Sequence, residues 1–581
     1  MTRLQELGFT DFTGGLNVRD QRSFQIADNE SPQMLNMRAD ERLGIYTRKG
    51  MRRWNATPVT TGTWNPRNGY EHDYADDTNA VFVTNEQGIW VAENSSTFTQ
   101  LEYVPTNPVG CNADPHLADF ASWGDSTYIA TGRKVDDLIA GDVPIKYSQG
   151  GSVNQLTVLG VGTYNDDYTI PVGGVMPQAD YTEPHAGYLF CASVREDEDG
   201  GGVADYPSRL RWSHPNSPED WAKADFIDIE VGGGRITGLM SYQDHLLIFK
   251  TDSLWALYGY DSDSWQLIKV SPSIGTPSPT ATARSPIGCF FYSASGRGDI
   301  YRYDGDGLQR ISENIEQVVE EVPTNRYKDV WMGWASDVLL VSLPWIAYWD
   351  PLGGVSSVNN SLFMWDPYTG NGSWEMHRPA KGNIGPIIER SDSLFEPSLL
   401  VLFGSDVEAC LLQIGAVDAP NDFIDDLTTP TPFPTRYATN WKFAGTPELR
   451  KHWMRPRYII RNPTTSVAIL VQIYRDYDES AARRNHQLLI EADGTYFWRD
   501  LGYDDPAGDG FDWAQDDGET TPAGRGGVWS GSTKGGRIIR GKSFGIARSV
   551  QVAFSTAPLT PGKEWGIDAV VLKHIDRRFT T

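Results

Sequence analysis

The sequence predicts a mainly β chain, a β-propeller of six to eight blades with a β-sandwich-like domain behind it, and three observations carry that expectation. One hairpin unit occurs twice between Arg235 and Ser312: Leu246 to Phe249 turns through Lys250 to Ser253 and returns as Leu254 to Tyr258, and Cys289 to Tyr292 turns through Ser293 to Gly298 and returns through Ile300 to Tyr303. The unit recurs after roughly 43 residues, the spacing expected when several short strands build one blade. Strands so short, aromatic and apolar on both faces are best buried between two other sheets. The composition agrees, since Trp 20, Tyr 26 and Phe 22 favour strands while Gly 58 and Pro 35 suit many turns.

In chain order, residues 1–69 stand outside this periodicity and are expected to form a docking segment. Within them Ser31-Pro32 has the form of an N-cap with proline at the first helical position, predicting a short helix through Met34 and Leu35. The propeller is expected over 70–418. Its strand runs are Ala80 to Thr84, Ile89 to Val91, Ser126 to Thr131, Tyr188 to Val194, the two central hairpins, Val338 to Leu343, Leu362 to Trp365 and Leu399 to Phe403. Between them, the acidic glycine-rich stretch from Arg195 to Tyr206 predicts a solvated loop, and Ser217-Pro218 predicts a single helical turn over Trp212 and Trp221. Ser312 heads the clearest helix, with Ile315, Val318, Val319 and Val322 on one face. A proline-rich linker, 419–436, separates a domain at 437–581. There the longer runs Tyr458 to Arg461, Val467 to Tyr474, Ile538 to Ile539, Ser549 to Phe554 and Trp565 to Leu572 predict a sandwich.

The charge is unevenly spread. Fifty Lys and Arg against 76 Asp and Glu leave a formal net charge of −26, which argues against gripping DNA through its phosphates. Residues 1–55 nevertheless carry nine basic against seven acidic side chains. Their cluster Arg48, Lys49, Arg52 and Arg53 is the candidate partner-docking site, with the apolar residues Phe9, Phe12, Leu16 and Leu35 beside it; the bland alternative is a solvated or salt-bridged face. Cys111, Cys191, Cys289 and Cys410 have no metal or redox spacing and read as buried thiols. The N-terminus shows no signal-peptide pattern, and the run Val338 to Trp349 is too short to span a bilayer.

Few residues suggest chemistry. Sialidase-type blades carry a repeated Ser-x-Asp-x-Gly-x-x-Trp turn, and Glu86-x-Gly88-x-Trp90 and Gly370-x-Gly372-x-Trp374 lack its Ser and Asp, so they read as hairpin turns. No nucleophile elbow, zinc motif or phosphate loop is present. The sequence therefore predicts no catalytic residue, no enzyme activity and no cofactor. Asp500 to Glu519 holds eight carboxylates and no Lys or Arg, which makes Asp504, Asp505 and Asp509 weak calcium candidates although the spacing matches no calcium loop. Asp304 and Asp306 read as turn residues.

Several short pieces occur in an order found in one group of proteins: Gly14-Gly15-Leu16-Asn17, Asn29-Glu30-Ser31-Pro32, Leu35-Asn36, Arg48-Lys49-Gly50, Arg211-Trp212-Ser213, Asp220-Trp221, Ile236-Thr237-Gly238 and Leu246 to Phe249. In these, over roughly residues 10 to 320, the chain resembles the β-propeller tail proteins of double-stranded DNA bacteriophages, the nozzle or tail tubular protein B family of short-tailed phages. Similar openings occur in tail proteins of long-tailed phages, so the resemblance reaches the tail rather than one position in it. It implies a virion structural protein, made in the host cytoplasm and assembled as a ring, usually a homohexamer, at the distal tail. It further implies neighbours such as an adaptor and fibres, a host-surface receptor, and genomic DNA passing through the ring without specific binding. An acidic wall suits that last role, because it repels phosphate. The alternative expectation is a carbohydrate-binding or polysaccharide-degrading propeller of the tail.

Overall fold

In the computed structural model the described residues are 4–19, 26–39, 43–59, 66–85, 88–103, 107–108, 118–132, 143–166, 173–231, 233–296, 298–335, 337–345, 359–370, 372–389, 399–403, 410–417, 421–424, 429–445, 448–461, 467–478, 482, 484–490, 495–500, 529–530, 537–540, 545–556 and 563–576. Among them the dominant unit is the four-stranded antiparallel meander, and seven of these form a β-propeller. The first strands of blades 1 to 7 are Pro66–Asp73, Asp119–Trp123, Gln178–His185, Ile236–Tyr242, Thr282–Ser285, Trp331–Ala335 and Asn383–Ile388. Each pairs with the strand that follows it and leaves its other edge toward the axis. The first strand of blade 7 packs against that of blade 1, which closes the circle.

The two central hairpins are blades 4 and 5. Their second strands, His245–Lys250 and Gly288–Ser293, are buried at every position, as expected for strands with a sheet on either side. Register makes Trp255 and Tyr301 equivalent, since they face Ile248 and Phe291 on those strands. Both are half-buried rather than central.

Behind the propeller stand two larger sheets. One joins Arg537–Arg540, Arg457–Arg461, Gly566–Asp576, Lys451–Trp453 and Gly545–Ala547; the other joins Arg436–Ala438, Val550–Thr556, Val467–Arg475, Arg484–Ile490, Thr495–Asp500 and Trp529–Ser530.

The N-terminal segment runs through all of these parts. Gln5–Phe9, Met37–Ala39 and Ile45–Thr47 belong to the first large sheet, and Gln33–Leu35 to the second. Gly15–Leu16 and Glu30–Ser31 extend blade 6 by parallel pairing, and Gly50–Arg53 supplies the fourth strand of blade 7. The expected boundaries shift accordingly. Residues 1–69 are not a segment apart, the first blade starts at Pro66, and within the expected linker Asn421–Asp422 pairs with Thr431–Pro432.

Three local expectations are corrected. Gln33–Leu35 is a strand, not a helix: Ser31 Oγ does accept the Gln33 N–H, but pairing with Arg436–Ala438 outweighs that local turn signal. The stretch after Arg195 is exposed over 199–205 as expected, but its start is not a free excursion, because Glu196 is buried between Arg209 and Arg211, at 2.8 and 2.7 Å; buried guanidinium groups need such partners. Ser217 starts no helix, and its hydroxyl bonds the Asp220 carboxylate inside a tight turn. Trp221 beneath it is fully buried. The helix after Ser312 is present as a 3-10 turn, Glu313–Ile315, leading into an α-helical turn, Glu316–Glu320. Ile315, Val318, Val319 and Val322 are all buried. Ser312 itself serves blade 5, bonding the Ile300 N–H at 3.0 Å and Asp299 at 3.1 Å.

Candidate functional site: the channel and the N-terminal seam

The first strands of the blades surround a cavity of about 430 Å³ on the propeller axis. Its wall carries Glu71, Asp73, Asp119, Glu183 and Glu389, and Arg284 is the one cation among its described lining residues. An inner strand has backbone donors on its free edge, and these need acceptors. The carboxylates supply them across blade boundaries. Asp119 of blade 2 accepts the Thr182 N–H of blade 3 at 2.9 Å, Glu183 of blade 3 accepts the Ser241 N–H of blade 4 at 2.9 Å, and Glu389, directly after the first strand of blade 7, accepts the Trp334 N–H of blade 6 at 2.7 Å. Arg284 of blade 5 lies 3.6 Å from Glu183 and donates to the Ser241 carbonyl at 3.3 Å. Between blades 1 and 2 the Tyr70 and Ser122 hydroxyls meet at 2.6 Å.

Burial pushes Asp119 and Glu389 up to about 7, and raises Glu183 against the opposing pull of Arg284. Raised carboxyl groups in a cavity are the raw material of general acid catalysis. Here each already accepts a backbone hydrogen bond, so its first role is to latch neighbouring blades. The sequence singled out none of Asp119, Glu183, Arg284 or Glu389. They sit singly on different blades, with no shared spacing that a motif could capture.

The second constellation is the seam where the N-terminal segment crosses from propeller to sandwich. Arg48 is buried, and all of its donors are used. Nη1 and Nη2 bond Asp422 Oδ1 and Oδ2 at 2.9 and 2.7 Å, Nε bonds Asn36 Oδ1 at 2.8 Å, and the Lys49 and Arg378 carbonyls accept at 2.8 and 2.9 Å. The guanidinium lies 3.6 Å over the Phe433 ring. Asp422 also accepts the Met51 and Ala380 N–H groups, each at 2.9 Å. Nearby, Asn36 adopts a left-handed φ of 53°; its N–H bonds the Met376 carbonyl of blade 6 and its Nδ2 the Pro434 carbonyl, each at 2.8 Å. Gly15, at φ 67°, passes so close to Trp374 that a Cβ would strike the backbone there.

The seam corrects the reading of the basic cluster. Arg48 and Arg53 are buried and turned inward, because inside the chain their charge and donors find fixed partners; Lys49 and Arg52 remain exposed. Phe9, Phe12, Leu16 and Leu35, expected to contact a partner, lie in one apolar cluster with Trp374 of blade 6 and Tyr437, Phe554 and Leu572 of the sandwich. Exposing side chains of that size would forfeit the burial that joins the two domains.

Of the remaining candidates, Asp504, Asp505 and Asp509 lie outside the described residues, as does Cys111. Cys191, Cys289 and Cys410 are buried, as expected. Asp304 accepts the N–H groups of Asp306 and Gly307 in a turn. Trp374 follows a turn in which Gly370 and Gly372 take left-handed φ values, as a hairpin connection requires. No group of three or more metal-ligating side chains occurs among the described residues, and no helix there is long and apolar enough to cross a membrane.

No protein-family model matches the sequence, and no curated protein matches it. Solved structures with a similar strand arrangement include BamB from Moraxella catarrhalis, at 8% identity over 66% of this chain and 94% of that chain, TM-score 0.33. Trypanosoma rangeli sialidase aligns at 10% identity over 93% of each chain, TM-score 0.31. The extracellular domain of a one-component system from B. thetaiotaomicron aligns at 9% identity over 89% of this chain and 62% of that one, TM-score 0.37. Nothing about activity passes through likenesses this distant.

Proposed function

We propose that this protein is a structural component of a bacteriophage tail, a subunit of the ring at the distal end through which the genome leaves the particle. The observation that carries the reading is where the phage-like sequence pieces lie. Gly14 to Asn17 and Asn29 to Pro32 carry the strands that extend blade 6, Ser31 and Leu35 reach the sandwich strand Arg436–Ala438, and Arg48 is bonded to Asn36 and Asp422 beside them. The channel supports the same reading, because its carboxylates bond backbone groups of neighbouring blades. In this reading the DNA path is the lumen of the ring, and a chain of net charge −26 gives that lumen an acidic wall.

In this reading the ring holds six copies and contacts an adaptor and fibres in the virion tail. Native mass measurement of the purified chain, alone and mixed with the other tail proteins, tests it. A closed ring of several copies is expected in at least one condition. A monomer under every condition, and absence of the chain from purified virions, would overturn the reading. The competing enzyme reading predicts sugar release from host surface polysaccharide, and that release should disappear in Glu389→Gln. The structural reading predicts none from the native chain. A carbohydrate-binding role without hydrolysis is favoured by a different surface, the pocket around His185.

A further inference from the structure

On the propeller face where first strands turn into second strands, the hairpins of blades 2, 3 and 4 come together. Blade 2 contributes Trp123, blade 3 His185 with the Ala186-Gly187 turn, and blade 4 Ser241 with the Gln243-Asp244 turn; the loop after Tyr258 brings in Tyr260. Together they line a pocket of about 330 Å³, at the small end of ligand sites. Ala186 and Gln243 hold left-handed φ angles of 49° and 52° without being glycine.

The floor of the pocket is His185, which is 8% exposed. Its Nδ1 meets the Ser241 hydroxyl at 2.8 Å, and its Nε2 is buried without a hydrogen-bond partner. At the rim the Tyr260 ring is 75% exposed and Trp123 is half-buried. Exposed aromatic faces of this size bind flat apolar surfaces from water. Gln243 and Asp244 add exposed polar groups beside them, and no Lys or Arg lines the pocket.

We propose that this pocket binds a sugar ring, neutral or amino-bearing, with Trp123 and Tyr260 against its C–H surface and the exposed Gln243 and Asp244 side chains on its hydroxyls. A saccharide is the ligand class that offers an apolar face and a fringe of hydroxyls at once. With the Asp244 carboxylate at the rim and no cation in the lining, the site selects against sialic and uronic acids. The proposal names a site for the carbohydrate-binding reading and does not depend on the ring, which is read by mass alone.

The test uses the full-length protein and saturation-transfer NMR. The probes are methyl α-glucoside, methyl α-mannoside, methyl β-galactoside, glucosamine and N-acetylglucosamine, with N-acetylneuraminic acid as the anionic comparison. At least one uncharged or amino probe is expected to receive saturation, and Tyr260→Ala and Trp123→Ala should each weaken its binding at least tenfold. Tyr368→Ala, which removes a tyrosine of similar exposure outside the pocket, should leave it unchanged. Tyr260 is exposed enough that its loss does not threaten folding, so that variant stands even if Trp123→Ala misfolds. Binding by none of these probes, binding of N-acetylneuraminic acid alone, or binding indifferent to Tyr260→Ala would overturn the proposal.

Discussion

Blades 4 and 5 and the N-terminal segment are built on opposite plans. In the blades, each strand pairs with its sequence neighbour, so pattern, turn and partner lie within a few tens of residues. In the N-terminal segment, a run of about fifty residues pairs with strands centred near residues 374, 412, 437 and 571. The blades show that local alternation and turn chemistry are sufficient to announce a fold. The seam shows that a strand added from far away has no local signature, because what decides its conformation is a partner several hundred residues off. Its buried Arg48 looks in sequence like any surface arginine.

Mutations sharpen that contrast, and the largest effect belongs to the seam. Asp422→Ala strands a buried guanidinium, and we expect a loss of about 3–5 kcal/mol by denaturant unfolding, with Arg48→Ala similar. Next comes the blade interior. Trp255→Ala removes a half-buried ring that Lys269 covers at 4.8 Å, and a loss of about 2 kcal/mol is expected, roughly half that of a fully buried tryptophan. An effect equal to that of Asp422→Ala would erase the distinction between the two regions.

A smaller effect is expected from pH. Asp119 and Glu389 sit at about 7 in the fold, above ordinary carboxyl values near 4. A raised carboxyl means the folded state holds its proton more tightly, so this contribution favours folding at low pH and is lost as pH rises through about 4 to 7. Melting temperature across that window should therefore fall less steeply in the Asp119→Asn, Glu389→Gln double variant. Both substitutions keep an oxygen for the Thr182 and Trp334 N–H groups. An unchanged slope would mean that these groups ionise normally. The smallest effect belongs to Lys49 and Arg52. Replacing both by Ser should leave melting unchanged, while making assembly of the proposed ring slower and less salt-sensitive if the exposed pair meets an acidic neighbour.

What the sequence made legible follows the same division. Val338–Leu343 and Leu399–Phe403 were readable to the residue, because apolar runs bounded by turns have one plausible structure. Met34 and Leu35 were misread as helical, since Ser31-Pro32 mimics a cap and the strand that captures them begins at Arg436. The acidic stretch after Arg195 hid Glu196, whose burial depends on two arginines across the hairpin. The channel carboxylates and the His185 pocket have no local signature for a related reason: each is assembled from different blades, and only the packing of blades side by side places their residues together.

The described strands between Gln5 and Arg53 are expected to make propeller and sandwich one cooperative body. Differential scanning calorimetry of the full chain tests it most directly. The account predicts a single transition for the native protein, and in Asp422→Ala either one transition at lower temperature or a split into two. Two well-separated transitions in the native protein, of which Asp422→Ala moves only one, would contradict it.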